Sequence, residues 1–414
     1  MHTFFPIATV ANIWRILLLV ALVGIAASTV FLGMVIVAAQ RYRRRASVAA
    51  KTAHDRSRDS FPPVTVLKPV HGMEPRLEEN LESFFLQEYP NFEIVFGTRS
   101  EEDPALQVVE RLRRRYPQVP VRIIFSGQPT WPNAKVFSLN KMIASSSNDY
   151  FVISDSDILV KTDFLRNVIS PLLEKQNGLV TCLYEGVPAD DFWSELEALG
   201  MSIEMPSGVI VADVMEGMQF ALGAVMAVRR DALDKIGGIG ATAEYYSDDF
   251  VLGNLVAKAG YTVVLSHHQV GHVLTTQTFA QTFKTQRRWM QSTRYSRPAG
   301  HFGTGLTFST PFGILGFIAA GALGYWSLAF GLLGWSYLNR VIQALTVGWG
   351  VIRDPRALSG CLLYPLRDLL GFVVWTTSYL GRSTFYWRGE VYRFTAGGRI
   401  VPERRKVEAV STVA

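Results

Sequence analysis

Apolar positions along the chain fall into two regimes. Ile16 to Ala39 is a run of 24 residues without a charge, long enough at about 1.5 Å per residue to cross a hydrocarbon core about 30 Å thick. A secretory leader has an apolar core of only about 7–15 residues, so this run predicts a retained anchor. A second uncharged stretch of 42 residues lies between Arg297 and Arg340, interrupted by Pro311 and several glycines. It predicts either two spans or a re-entrant piece followed by one. A third, Asp368 to Gly381, is too short to span unless Arg367 and Asp368 lie at its edge or inside a bundle.

Between about residues 60 and 275 the pattern changes. Val64 to Leu67, Phe92 to Phe96, Val121 to Phe125 and Tyr150 to Ile153 read as buried strands. Helical periodicity marks Arg76 to Gln87, Pro104 to Arg115 and Lys135 to Ala144. Such alternation predicts an α/β fold with a largely parallel sheet, helices on both faces and a ligand at the carboxyl ends of the strands. Neither G-x-G-x-x-G nor G-x-x-x-x-G-K-[ST] is present, which argues against dinucleotide-binding and P-loop chemistry.

Composition changes this picture only locally. The 49% hydrophobic content is that of a globular protein and conceals the apolar ends. A net charge of +6 and a pI near 9.2 suit an anionic membrane surface or a phosphorylated substrate. The basic residues cluster beside the apolar segments and no nucleic-acid module signature occurs, so nucleic acid is not an expected partner. The two cysteines, Cys182 and Cys361, lie in different regimes and make a disulfide framework improbable.

Arg41, Arg43, Arg44 and Arg45 follow the first apolar run, and the positive-inside rule then places the next domain in the cytoplasm. The tail carries Arg382, Arg388, Arg393, Arg399, Arg404, Arg405 and Lys406. If it is cytoplasmic too, the C-terminal spans are even in number, and two are expected. The expected organisation is an anchor and basic flank (1–45), a linker (46–60), the α/β domain (61–276), an amphipathic interface helix (277–300), C-terminal membrane segments (301–381) and a basic cytoplasmic tail (382–414). The expected location is the cell inner membrane, multi-pass, with the catalytic domain cytoplasmic.

Three features carry chemistry. After the fourth strand comes Ser154-Asp155-Ser156-Asp157. Two carboxylates one residue apart at a strand end project to the same side and repel, and Mg²⁺ or Mn²⁺ bridging a diphosphate relieves that repulsion. A solvated turn before the helix near Thr162 is the plainer reading. Asp248-Asp249, behind Tyr245-Tyr246-Ser247, opens a helix through Val251, Leu252, Leu255 and Val256. One acid can complement the helix dipole while its neighbour acts as a general base. Finally, Lys284, Arg287, Arg288, Arg294 and Arg297 give five positive charges in fourteen residues, and Phe279, Phe283 and Met290 share one helix face. This reads as an interfacial amphipathic helix anchored by charge to anionic lipid. Arg288 can also neutralise a leaving diphosphate, and Trp289 can pack against an acceptor.

Taken in order with Leu67-Lys68-Pro69, Asn80-Leu81-Glu82-Ser83-Phe84-Phe85, Tyr89-Pro90-Asn91-Phe92-Glu93-Ile94, Glu102-Asp103-Pro104-Ala105 and Asn133-Ala134-Lys135, these features resemble family 2 type glycosyltransferases. The resemblance is specifically to the ceramide glucosyltransferase (family 21) group, over roughly residues 60 to 300. Ser296 to Gly305 looks like a bacterial branch associated with hopanoid lipid biosynthesis.

The resemblance implies a Rossmann-like GT-A fold for nucleotide-diphospho-sugars, with a UDP-sugar donor across the first half of the sheet. It also implies a membrane lipid acceptor, ceramide or a hopanoid. It assigns Asp155 and Asp157 to the donor diphosphate and metal, with Lys68 and Lys135 also on the donor side. Asp249 is then the base for the acceptor hydroxyl, with Asp248 beside it and Arg288 and Trp289 near diphosphate and acceptor. Two positions depart from the pattern. Ser100 stands where an acid is expected after the second strand, so Glu102 or Asp103 is the substitute, and Thr285 stands where Gln or Arg is expected before Arg288-Trp289.

The expected reaction is an inverting single displacement that makes a glycolipid. A processive polysaccharide synthase shares these elements but needs more C-terminal spans for an export channel. A non-catalytic membrane scaffold binding nucleotide or lipid is favoured only by Ser100. A transporter is disfavoured, because the apolar segments are few and show no acid pairs.

Overall fold

The computed structural model describes residues 7–276, 278–387 and 390–403. Arg388, Arg404, Arg405 and Lys406 of the expected tail lie outside the described residues.

Helix α1 (Ile7–Asp55) has 49 residues, a length of about 73 Å. It is more than twice what a bilayer core needs, so residues 46–55, expected as linker, continue the helix. Ile13, Ile16, Leu19 and Val23 are exposed along its first half. The second half lies against the α/β domain. Tyr42 donates to the Ser266 carbonyl at 2.8 Å, and Arg45 pairs with Asp213 at 2.9 Å. One of the four flanking arginines thus serves the fold.

Strands β1 (Val64–Pro69), β2 (Phe92–Thr98), β3 (Val121–Phe125) and β4 (Tyr150–Ser154) fall within two residues of the runs read from sequence. They pair in parallel in the order β3-β2-β1-β4. Period-two alternation divides their side chains between two cores. Val64, Val66 and Val152 pack with helices α2 (Leu77–Phe85) and α3 (Ala105–Arg115) on one face. Leu67, Phe151 and Ile153 pack with α4 (Ala134–Ser145) on the other.

The chain then makes the two-residue β5 (Ile158–Leu159), α5 (Phe164–Ile169), β6 (Asn177–Thr181), β7 (Tyr184–Val187), α6 (Phe192–Glu216), β8 (Val225–Arg229) and α7 (Arg230–Lys235). Helix α8 (Asp248–Lys258), β9 (Thr262–Leu265) and β10 (Val270–Val273) follow. The main sheet is completed as β3-β2-β1-β4-β8-β6-β9, with β8 antiparallel to β4 and β6. A small sheet, β5-β10-β7, stands beside the D-x-D turn. This mixed α/β arrangement is the GT-A architecture expected.

Beyond it run α9 (Phe279–Ser296), α10 (Pro298–Gly305), α11 (Thr310–Ala322), α12 (Trp326–Gln343), a π-helical run Ala344–Ile352, α13 (Arg356–Gly360) and α14 (Tyr364–Thr377). Among the described residues, α1 and α6 are each long and apolar enough to cross a membrane. A third span is possible by length and composition if α10 and α11, bent by 46°, are taken as one. Helix α6 was not read from the sequence as a membrane-compatible segment. Arg367 and Asp368 lie inside the bundle. Arg340 pairs with Asp368 at 3.0 Å, and Arg367 pairs with Glu204 of α6 at 2.9 Å. The second Asp368 oxygen accepts from the Ser309 and Thr310 amides at the start of α11. Both ion pairs thereby offset charge where an unpaired one is very costly.

The described part of the expected basic tail is folded. Strands β11 (Thr384–Trp387), β12 (Glu390–Phe394) and β13 (Ile400–Pro402) form an antiparallel sheet around Phe385, Tyr392, Phe394 and Ile400.

Candidate active site

The end of β4 delivers the D-x-D turn. Ser154 and Ser156 are buried while Asp155 and Asp157 alternate with them toward the cleft, each carboxylate side chain 39% exposed. Lys68, at the end of the neighbouring β1, is completely buried. Its ammonium donates to the Asp155 carbonyl and to Ser154 Oγ and rests 3.8 Å from the Phe84 ring centroid. Burial pulls its pKa down to about 7. Lys68 thus lies beneath the turn, where it holds the main chain of the D-x-D element.

Helix α4 contributes the link between the two acidic elements. Its N-cap, Asn133, accepts from the Lys135 and Val136 amides, satisfying two otherwise orphaned donors. The Asn133 amide nitrogen donates to the Tyr245 carbonyl at 2.9 Å and to Asp248 Oδ1 at 3.3 Å. One residue thus caps α4 and orients the first acid of the pair. Lys135 in the first turn lies 2.5 Å from Asp155 Oδ1. Burial works against its charge, but Asp155, Asp248 and Asp249 outweigh that and raise its pKa.

The acid pair divides its labour. Asp248 is buried and held by Asn133, and burial raises its pKa despite Lys135. Asp249 is less buried. Burial, then repulsion from Asp248, pushes its carboxyl up to about 7, a value suited to a general base at neutral pH. The helix carrying both is fixed from behind: a Cβ at Gly253 would lie 2.3 Å from the Ala221 amide nitrogen. Helix α8 therefore lies directly on the backbone at Phe220–Ala221, and Gly253 permits that approach.

His272 on β10 completes the cleft and was not anticipated. Its Nε2 is 3.3 Å from Asp157 Oδ2, and its ring lies 5.5 Å from that of Tyr184 on β7. Burial disfavours the imidazolium, but Asp157 and Asp155 more than offset it and raise the pKa. His272 and the nearby cations in turn hold Asp157 below the usual carboxylate value despite its burial. A lone histidine in Val270-Gly271-His272-Val273 gives no spacing signal; only strand pairing brings it to the turn.

The residues present fit a divalent cation bound together with a diphosphate. Asp157 Oδ1 and Asp248 Oδ2 are buried oxygens without a hydrogen-bond partner, and two carboxylates share one side of the turn. Among the described residues no three His, Cys, Asp or Glu side chains converge into a complete cage. Mg²⁺-type sites commonly take one or two carboxylates and leave the rest to substrate phosphates and water.

On the far side, Glu102 is exposed. Asp103 is fully engaged: Oδ1 accepts from the Gly72 and Ala105 amides and Oδ2 contacts His71 Nδ1. Asp103 thus ties the β1–α2 loop to α3. Ser100 Oγ accepts from the Glu102 amide.

The Arg-Trp element lies on α9. Arg288 stands 6.0 Å from the Tyr246 ring, its Nε buried without a hydrogen-bond partner, and Trp289 is 38% exposed. The other arginines of this helix have partners that the lipid-anchor reading missed. Arg287 donates to the Thr377 and Leu380 carbonyls and Arg294 to the Ser378 carbonyl, neutralising the C-terminal dipole of α14. Arg297 pairs with Glu216 of α6.

A sequence model described as glycosyl transferase family 21 matches residues 16–400. The chain belongs to glycosyl transferase family 21. Ceramide glucosyltransferase 3 of Caenorhabditis elegans is 23% identical over 360 residues, covering 83% of this family 21 chain and 75% of that protein. Ceramide glucosyltransferase 1 of the same organism is 26% identical over 233 residues, 56% of this chain and 50% of that protein. The match to ceramide glucosyltransferase 1 thus spans half of that protein's length. The ceramide glucosyltransferase of Komagataella phaffii is 39% identical over 113 residues, 26% of this chain and 22% of that protein.

Among solved structures, the mannosyltransferase PcManGT of Pyrobaculum calidifontis, in complex with GDP-Man and Mn²⁺, is 18% identical with a TM-score of 0.47. That similarity covers 85% of this family 21 chain and 97% of PcManGT. S. aureus TarS 1-349, in complex with UDP-GlcNAc, is 13% identical with a TM-score of 0.38, covering 81% and 98%.

Proposed function

We propose that this family 21 chain is an inverting membrane glycosyltransferase that moves a hexose from a UDP-sugar to a hydroxyl of a membrane lipid of the ceramide kind. The observation that carries the reading is the pairing of two acidic elements of different character around one lysine. Asp155 and Asp157 are the outward pair, and Asp249 is the half-buried carboxyl whose pKa is raised to about 7.

In this mechanism the acceptor oxygen attacks the anomeric carbon as Asp249 takes its proton. The new C–O bond forms on the face opposite the departing diphosphate, so the configuration inverts. Lys135 keeps the diphosphate end and the base end of the cleft in register, and Asp248, fixed by Asn133, sets the rotation of α8. Asp155 and Asp157, the latter oriented by His272, would hold a divalent cation, which when bound offsets diphosphate charge. Arg288 adds a guanidinium to the same task, and exposed Trp289 faces the acceptor side. The domain faces the cytoplasm, where UDP-sugars are made, with Arg41–Arg45 on that side of the bilayer.

Expression in a host lacking glycolipids, followed by mass spectrometry of the lipid extract, tests the reading. A new lipid heavier by one hexosyl residue, with a ceramide fragment, is expected. A hexosylated hopanoid would move the acceptor assignment to the other lipid, and an unchanged extract would sink the proposal.

A further inference from the structure

The mechanism uses α8 and α9, which are joined at the loop before Asp248 by the contact of Ser247 with Ser292. That loop is held by a part of the chain outside the α/β domain. The Ile400 amide donates to the Glu244 carbonyl at 2.8 Å, and the Tyr246 amide donates to the Gly398 carbonyl at 3.3 Å. Tyr245 bridges Arg399 in antiparallel fashion, and Arg399 Nε donates to the Tyr245 hydroxyl at 3.2 Å. The loop has become an added edge of the C-terminal structure.

Side chains reinforce the backbone. The Tyr246 ring is enclosed by Phe385, Trp387 and Phe394 at 5.2, 5.3 and 5.4 Å. Phe394 also stacks on Tyr295 near the end of α9, at 5.5 Å and 12° between planes. A Cβ at Gly398 would lie 2.1 Å from Ser296 Oγ, and Gly398 has a φ of +82°, so this contact also demands glycine. Ser247, just before the acid pair, meets Ser292 of α9 at 2.7 Å. One three-stranded unit therefore grips both the loop of the acid pair and the helix of the Arg-Trp element.

We propose that the C-terminal sheet β11–β13 is a clasp that sets the position of Asp249 relative to Arg288, with Tyr246 as its positioning residue. The inference rests on the role given to Asp249 above. Edge pairing suits the purpose because each hydrogen bond fixes main chain, whereas side-chain contacts alone leave a loop free to shift. A misplacement of about 1 Å at a reacting group lowers rate about 10²-fold while leaving remote binding unaffected.

The test uses the full-length protein with two changes of different kind. Ile400→Pro removes the amide that donates to Glu244 and touches no cleft side chain. Tyr246→Ala empties the aromatic cage, and Tyr246→Phe keeps the ring. Hydrogen exchange by mass spectrometry is read beside turnover and UDP affinity. For Ile400→Pro and Tyr246→Ala, faster exchange at residues 242–250 is expected, with kcat lowered at least about tenfold and UDP affinity within about twofold. Tyr246→Phe is expected to retain kcat within about threefold.

Unchanged exchange at 242–250 in Ile400→Pro would overturn the clasp. Loosened exchange with undiminished kcat would overturn its positioning role. Should the parent protein transfer no sugar, the exchange comparison still decides whether the clasp holds the loop, so the two proposals fail separately.

Discussion

The Lys135 ammonium lies 2.5 Å from Asp155 Oδ1 and acts electrostatically on both Asp248 and Asp249. One cation on the first turn of α4 is thus the countercharge shared by the D-x-D turn and the acid pair. Losing it affects the base as well as the donor site.

Replacing Lys135 by Met removes a charge that lowers the Asp249 pKa. Asp249 must be ionised to take a proton, so kcat/KM of the parent should rise with pH through about 7. In Lys135→Met that limb should move upward by about one pH unit. Activity at pH 7 should drop severalfold, and the part of that loss due to the base should be recovered by pH 9, leaving the donor-site part. A pH–rate profile with an unmoved limb would contradict the shared-countercharge assignment.

Asp249→Asn should reduce turnover by about 10²–10⁴-fold with UDP affinity little changed. Stability should move the other way. The folded-state pKa of Asp249 lies above its ordinary 3.8, so its favourable contribution is present at low pH and is lost as pH rises through about 7. The variant should melt above the parent at pH 8, with the difference shrinking toward pH 5. Thermal melts at the two pH values check the sign.

His272→Gln and Asp157→Asn should each weaken Mn²⁺-dependent UDP binding by about 10–100-fold. Binding measured in chelator should change little. Calorimetric titration with and without Mn²⁺ separates the two contributions, and equal losses in both conditions would remove the cation from the argument.

Arg340→Met leaves Asp368 buried in the helical bundle with its ion-pair partner gone. Breaking such a pair costs about 3–5 kcal/mol, so a lower melting temperature and reduced yield in detergent are expected. Arg340→Lys should restore part of the loss, although a single ammonium cannot reproduce the contacts of the guanidinium to both Asp368 and Asn339.

What could be read from the sequence follows from where the stabilising contacts lie. Strands β1, β2 and β4 are buried over most of their length and β3 lies partly buried at the sheet edge, so each shows itself locally as a short run rich in apolar residues. The D-x-D turn was legible because it follows such a run. Helix α6 was hidden because Glu197, Ser202, Glu204 and Ser207 break its apolar pattern, and Glu204 and Ser207 have partners in α14 and α12. The C-terminal sheet was read as a basic tail because Arg393 and Arg399 dominate the eye over the sparse Phe385, Tyr392, Phe394 and Ile400 that make its core. Arg287 and Arg294 looked like lipid anchors, since the carbonyls they bind lie more than 80 residues away in the chain. The burial of Lys68 and Asp103 and their hold on neighbouring main chain depend on long-range packing, which the sequence does not display.

The most direct test of the account is the product formed in proteoliposomes containing ceramide, with an isotopically labelled α-linked UDP-hexose supplied outside and the product's anomeric configuration read by NMR. The account predicts a β-linked hexosylceramide that is nearly absent with Asp249→Asn. An α-linked product, or the same yield from Asp249→Asn, would contradict it.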